Sequence, residues 1–289
     1  MNIFQAIIIG IVQGLTEFIP ISSTAHLIFA SRALGLYESV GDQTLRAEQT
    51  TATIGVIQLG TLVAVLIYFA PDILTITVAF IRDHFALLRG GGGRPHETRA
   101  ASGRIVHRRT RLSDDARLGW LVILGSLPVG VVGLLFKDHI EGLLTKDLRL
   151  IATMMIAVAL LLALAEKVGQ RRREMSELGV RDALAVGGAQ VLALIPGASR
   201  SGSTIMGGLF AGETRETAAR FSFLLSIPAI AASGLLELKE AITKLPPDSV
   251  LPLAVATIVS AIVGYASIWF LLRYLRTHST GIFIGYRLV

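Results

Sequence analysis

The sequence predicts an all-α, polytopic membrane protein: an inverted-topology repeat with two re-entrant helix hairpins and five to six transmembrane spans. Three observations carry this reading. Of 289 residues, 52% are hydrophobic and 17% charged, against roughly 45–50% and ~25% in a soluble domain. The apolar residues run in long, nearly charge-free blocks instead of amphipathic stripes. Two further apolar stretches are each broken by a proline that a cluster of hydroxyl residues follows. This composition excludes disordered and collagen-like chains, and the lack of cysteine excludes disulfide scaffolds, thiolate metal sites and a cysteine nucleophile.

Taken in order, the first broken stretch is 2–31, which carries Glu17 and His26 and is interrupted at Pro20, with Ser22-Ser23-Thr24 next. A straight helix of that length would overshoot a bilayer, so a re-entrant pair is expected. Irregular backbone at membrane depth is tolerated only where it lines a cavity or is buried in protein. The stretch has no basic leader and no small-residue cleavage site, so it is not read as a signal peptide. Spans are expected at 52–70, 118–136, 150–165, 218–236 and 250–272. A 19-residue helix is ~28 Å long, close to the ~30 Å hydrocarbon core. Residues 71–81 with 85–88 read as an interfacial helix. The second broken stretch is 183–211, interrupted at Pro196-Gly197 and followed by Ser199-Arg200-Ser201-Gly202-Ser203-Thr204.

The formal net charge is +6, and its location explains it. Residues 82–117 hold nine Arg against four acids, a net +5, and the run of four glycines at 90–93 marks 89–117 as a flexible loop. Residues 166–182 hold five basic residues and the tail from Arg273 holds three. Placing these segments in the cytoplasm lets the spans alternate without conflict. The first hairpin then dips from the outer face and the second from the inner face. Residues 1–165 and 183–289 become two inverted repeats within one integral-membrane domain, 1–289. The breaks rhyme, Gln13 to Ser23 against Gln190 to Ser199. A third span of the second half would follow Gly281, and the sequence does not supply it.

Ionisable groups at mid-membrane cost ~2.5–3.5 kcal/mol on insertion scales, so Glu17, His26 and Arg200 are the candidate functional charges. A structural Glu17–Arg200 tie between the hairpins is the plain alternative, but it leaves the hydroxyl clusters unexplained. Gln13 and Glu17 share a helix face at i, i+4. Pro20 ends that helix, and Ser22, Ser23 or Thr24 can cap the next. Pro196-Gly197 and Ser201 or Ser203 repeat the device. Two helix N-termini aimed inward make an anion site, with Arg200 as a planar fork for phosphate. A carboxylate beside phosphate suits a divalent cation, Mg²⁺ or Ca²⁺, held by Glu17 and Gln13. His26 offers a base for a hydroxyl nucleophile.

Gln13-Gly-Leu-Thr-Glu17, Pro20-Ile-Ser-Ser-Thr-Ala-His26 and Pro196-Gly-Ala-Ser-Arg-Ser-Gly-Ser-Thr204 resemble the undecaprenyl pyrophosphate phosphatase family (BacA/UppP type) over nearly the whole chain. The resemblance implies hydrolysis of the lipid-carrier pyrophosphate, dependence on a divalent cation, a role in cell-wall carrier recycling and bacitracin tolerance. It also implies six spans, two re-entrant pairs and a site open to the outer face of the bacterial plasma membrane. By that resemblance Glu17, Ser23, His26 and Arg200 are catalytic, Ser22, Thr24, Ser199, Ser201 and Thr204 bind substrate, and Glu17 and Gln13 bind metal. Ser22 or a water remains open as the nucleophile. The chain departs from the family in three places: Gln13 stands where Glu is frequent, the loop at 89–117 is long, and the C-terminal span is lacking. The rival reading is a transporter or flippase of polyprenyl phosphate, which would use the same anion site without a nucleophile. Expected partners are the polyprenyl pyrophosphate, membrane lipids and, through the small residues Gly125, Ser126, Gly130 and Gly133, a second copy. Nucleic acid is not expected, because topology and lipid headgroups account for the arginines.

Overall fold

The computed structural model describes residues 1–37, 41–89, 96–99, 105–108, 112–136, 147–245 and 247–289. Eleven α-helices and one small hairpin are present among them. Helix α1 (Ile3–Phe18) opens on a capping box, in which Asn2 Oδ1 accepts from Gln5 N and Gln5 Oε1 accepts from Asn2 N, both at 2.8 Å. It stops where Ile19 turns extended, ahead of Pro20, and α2 (Ser23–Ala33) follows. Helices α3 (Gln43–Tyr68) and α4 (Ala70–Leu88) come next. Strand β1 (His96–Arg99) pairs antiparallel with β2 (Ile105–Arg108), so part of the arginine-rich segment is a hairpin. The four glycines at 90–93 lie outside the described residues. Helix α5 (Asp114–Leu135) is capped by Ser113, with Asp114 and Asp115 in its first turn facing the positive dipole end. Helix α6 (Leu148–Val168) is capped by Asp147.

The second half begins with α7 (Val180–Val191), a short 3₁₀ turn at Leu192–Leu194, and α8 (Arg200–Phe210). Helices α9 (Arg215–Lys244) and α10 (Val250–Leu275) are long, and α11 (Gly281–Leu288) is a two-turn helix. Among the described residues, five stretches are long and apolar enough to cross a bilayer: Gln49–Tyr68, Asp114–Leu135, Leu148–Val168, Arg215–Thr243 and Val250–Leu275. Each overlaps a span read from the sequence. This is an all-α, multi-pass membrane protein. Helix α4 is one continuous 19-residue helix and is not among those five. Its Asp72, Arg82 and Asp83 break up the hydropathy.

Helix α1 lies along α10, α10 along α3, and α3 along α9, while α8 is held by α6, α7 and α9. Glycines permit the closest approach. A Cβ at Gly10 would stand 2.5 Å from Ala256 O, and one at Gly14 would stand 2.8 Å from Ser260 O. Backbone-to-backbone packing of this kind drives helix association in lipid, where burying apolar surface yields no gain. Gly125 closes an internal crossing in the same way, with its oxygen 2.2 Å from a Cβ at Gly187, whereas Gly130 has no neighbour within 4 Å. An aromatic knot sits below the first break: Phe18 meets Phe223 edge-on at 5.2 Å, and Phe69 meets Phe223 at 6.3 Å. It anchors the end of α1, next to Glu17, on the N-terminal third of α9.

Candidate active site

Both breaks use one local device. Ser22 has φ 78° and Ser199 has φ 71°, two of four non-glycine residues with positive φ among those described. Each immediately precedes a helix, α2 or α8. A non-glycine residue held there costs about 1–3 kcal/mol, and such strain gathers at functional sites. At Ser199 the side chain caps its helix, Oγ accepting from Gly202 N at 3.1 Å. At Ser22 no side chain caps α2. The first N–H groups of α2 therefore remain available to an anion at the positive end of the helix dipole.

Glu17, in the last turn of α1, is 6% exposed. Its Oε2 accepts from Gln13 Nε2 at 3.0 Å and from Ser23 Oγ at 2.8 Å. Its Oε1 lies 3.6 Å from Arg200 Nη1 across the two breaks. Arg200 Nη1 and Gln13 Oε1 are both buried without a hydrogen-bond partner. An unsatisfied buried group costs about 1–3 kcal/mol. A spare donor and a spare acceptor thus flank one carboxylate, a set whose chemistry suits an anion on one side and a cation on the other. The cleft continues along α9, lined by Ser201, Ser222, Phe223, Ser226 and Ile230.

His26 stands in the first turns of α2. Its Nδ1 donates to Ser22 O at 2.7 Å, which leaves Nε2 to accept from the Tyr286 hydroxyl at 2.8 Å. The two rings stack, 5.6 Å between centroids and 17° between planes. Ser23 is thus brought to Glu17, and His26 to Tyr286. Thr24 is exposed at the start of α2. Ser201 Oγ donates to Ile19 O at 3.3 Å, tying α8 to the first break. Thr204 is fully buried; its hydroxyl donates to Arg200 O at 2.7 Å and accepts from Ser222 Oγ at 2.5 Å. It holds the Arg200 turn from behind.

Sequence reasoning missed Ser222 and Ser226, although a serine pair at i, i+4 in an apolar span was a signal. It also missed Tyr286 and Arg287, where no local pattern existed. The donor set fits a hard cation through the Glu17 carboxylate and the partnerless Gln13 Oε1. Among the described residues no group of three His, Cys, Asp or Glu converges.

The family model described as bacitracin resistance protein BacA matches residues 6–289. The chain is 49% identical over 292 residues to a Syntrophobacter fumaroxidans protein named undecaprenyl-diphosphatase, covering 100% of this chain and 95% of that protein. Proteins of the same name from Chlorobaculum tepidum and Chlorobaculum parvum are 46% and 45% identical over 298 residues, each with 100% of this chain and 94% of the relative covered. The match spans both strained serines, the Glu17–Arg200 contact and α11, and this chain belongs to the bacitracin resistance protein BacA family.

Proposed function

We propose that this protein hydrolyses undecaprenyl pyrophosphate to undecaprenyl phosphate and inorganic phosphate, recycling a cell-wall lipid carrier and thereby conferring bacitracin tolerance. The observation that carries this reading is the 2.8 Å hydrogen bond from Ser23 Oγ to Glu17 Oε2 beside Arg200. A carrier of lipid phosphate needs the arginine and the helix ends, but not a hydroxyl already bonded to a buried carboxylate.

The chemistry follows from that pair. The terminal phosphate sits at the start of α2, against Arg200 and the α8 turn that Ser199 and Ser201 shape. Ser23 Oγ attacks the terminal phosphorus and its proton passes to Glu17. The Oγ–P bond forms, the bond from phosphorus to the bridging oxygen breaks, and undecaprenyl phosphate leaves. The departing undecaprenyl phosphate takes that proton from Glu17; water then attacks the phosphoserine, its proton passing to Glu17 or His26 and on to Ser23 Oγ as the Oγ–P bond breaks and inorganic phosphate is released. Arg200 offsets charge on the equatorial oxygens in both steps. Glu17 and Gln13 would hold Mg²⁺ or Ca²⁺, which supplies charge neutralisation between the carboxylate and the phosphates.

The two broken segments act as re-entrant pairs of two inverted repeats, 1–165 and 183–289, with the arginine-rich segment 89–117 in the cytoplasm and the site open to the outer face of the plasma membrane. Phosphate release by the purified chain, from undecaprenyl against farnesyl pyrophosphate, tests the activity. Ser23→Ala abolishes release while the protein still inserts; full release by that variant removes Ser23 as the nucleophile.

A further inference from the structure

Arg287 is a charged side chain, 3% exposed, in the last turn of α11. Its guanidinium donates to five backbone carbonyls. Nε reaches Met155 O at 3.0 Å, Nη1 reaches Pro20 O at 3.3 Å, and Nη2 reaches Met154 O at 3.4 Å, Gly197 O at 3.0 Å and Ala198 O at 3.1 Å. Pro20 belongs to the first break, Gly197 and Ala198 to the second, and the two methionines to α6. One planar fork thus holds both strained turns against a single helix. Lysine, a compact charge with three donors, does not reproduce that geometry. The adjacent Tyr286 hydroxyl occupies His26 Nε2.

Helix α11 is itself held firmly. Thr280, its N-cap residue, donates through Oγ1 to Glu166 Oε2 at 2.8 Å, and Glu166 is paired with Arg171 and Arg215. Phe283 and Ile284 are buried in the main core, Phe283 edge-on to Tyr274 at 5.6 Å. The position of Tyr286 and Arg287 is set by the rest of the fold and not by the site they touch.

We propose that Tyr286 and Arg287 are positioning residues of the hydrolytic site: Arg287 sets the spacing between the two helix starts that receive the phosphates, and the Tyr286 hydroxyl holds the His26 ring with Nδ1 bonded to Ser22 O. The proposal rests on the hydrolase reading above. Neither residue touches the reacting atoms. Arg287 acts through the Pro20 and Gly197–Ala198 backbone, and Tyr286 acts through His26. The two contacts join chain positions that a linear motif search keeps apart, which is why the short α11 belongs to the active site.

The test uses the full chain in detergent micelles, with three variants. Tyr286→Phe keeps the ring stack and removes only the hydroxyl. It lowers kcat for phosphate release by about 10-fold with KM within about twofold, the pattern of an interaction made in the transition state. Arg287→Lys, assayed on the fraction that elutes as folded protein, loses about 10-fold or more in kcat, while a purely structural arginine would lower yield and leave kcat per folded molecule unchanged. Tyr286→Ala serves as the packing control. A second readout does not depend on activity: carbethoxylation of His26 by diethyl pyrocarbonate, followed by peptide mass spectrometry. Removing the hydroxyl frees Nε2, so His26 reacts faster in Tyr286→Phe while His84 and His278 keep their wild-type rates. Faster His26 labelling in a protein that releases no phosphate would leave the contact standing and overturn the hydrolase reading. Wild-type kcat together with wild-type labelling in Tyr286→Phe, or wild-type kcat in Arg287→Lys, overturns the positioning role of that residue.

Discussion

Arg200 Nη1 lies 3.6 Å from Glu17 Oε1, too long for a hydrogen bond and close enough for strong attraction. Glu17 is buried and Arg200 is half-buried with its Nη1 enclosed, and that Nη1 has no hydrogen-bond acceptor. A pair poised apart in this way keeps the guanidinium available to an incoming anion, whereas a closed bidentate pair would not.

Glu17→Gln tests the carboxylate without emptying the site. The amide can still accept from Ser23 and Gln13, so the fold persists by size-exclusion elution. Phosphate release falls by about 10²–10⁴-fold, the range for removing a general acid–base group. Turnover near wild type would take Glu17 out of the reaction.

With the proposed cation held by the hard oxygen donors of Glu17 and Gln13, a chelator should stop phosphate release and added Mg²⁺ or Ca²⁺ should restore it. Gln13→Ala raises the cation concentration needed for half-maximal rate. Activity indifferent to chelation would leave the partnerless Gln13 Oε1 without this role.

Gly197 has φ +93°, and a Cβ there would stand 2.3 Å from Ile151 O. Gly197→Ala therefore costs at least about 3 kcal/mol, combining left-handed strain with a backbone clash. Gly188 is helical with nothing within 4 Å of its Cβ position. Gly188→Ala stabilises by ~0.5–1 kcal/mol. Thermal unfolding in detergent of both variants checks the contrast.

Glu213 lies between α8 and α9, outside the spans, with both carboxylate oxygens buried and unpartnered. Burial, and then the nearby Asp182 carboxylate, push it up to about 8 from 4.5, against the opposing pull of Arg173. The folded state thus binds a proton that the unfolded state releases at lower pH. Its contribution is fully present below 4.5 and is lost as pH rises through about 8. Unfolding temperature should fall across that window, and Glu213→Gln should flatten the fall. An unchanged slope in the variant would assign the pH dependence elsewhere.

The sequence alone determined the class of the protein, the spans and the residues carrying charge inside the apolar blocks. These are readable because a bilayer demands long charge-free helices, and because every polar exception within them is costly. The prolines at 20 and 196, each followed by hydroxyl residues, likewise announced both breaks, since proline disfavours helix at the residue before it, although Pro128 and Pro228 stand inside α5 and α9. Which charge meets which was decided only by the tertiary structure. The sequence reading paired His26 with a serine nucleophile, whereas packing brings Ser23 to Glu17 and turns His26 toward Tyr286. Arg287 read as one more topological charge in the tail, yet it sits buried on five carbonyls from three separate segments. Such contacts have no periodicity and no spacing to betray them. They exist because α10 returns the chain to the two breaks, where backbone oxygens left outside the helical ladder require a donor.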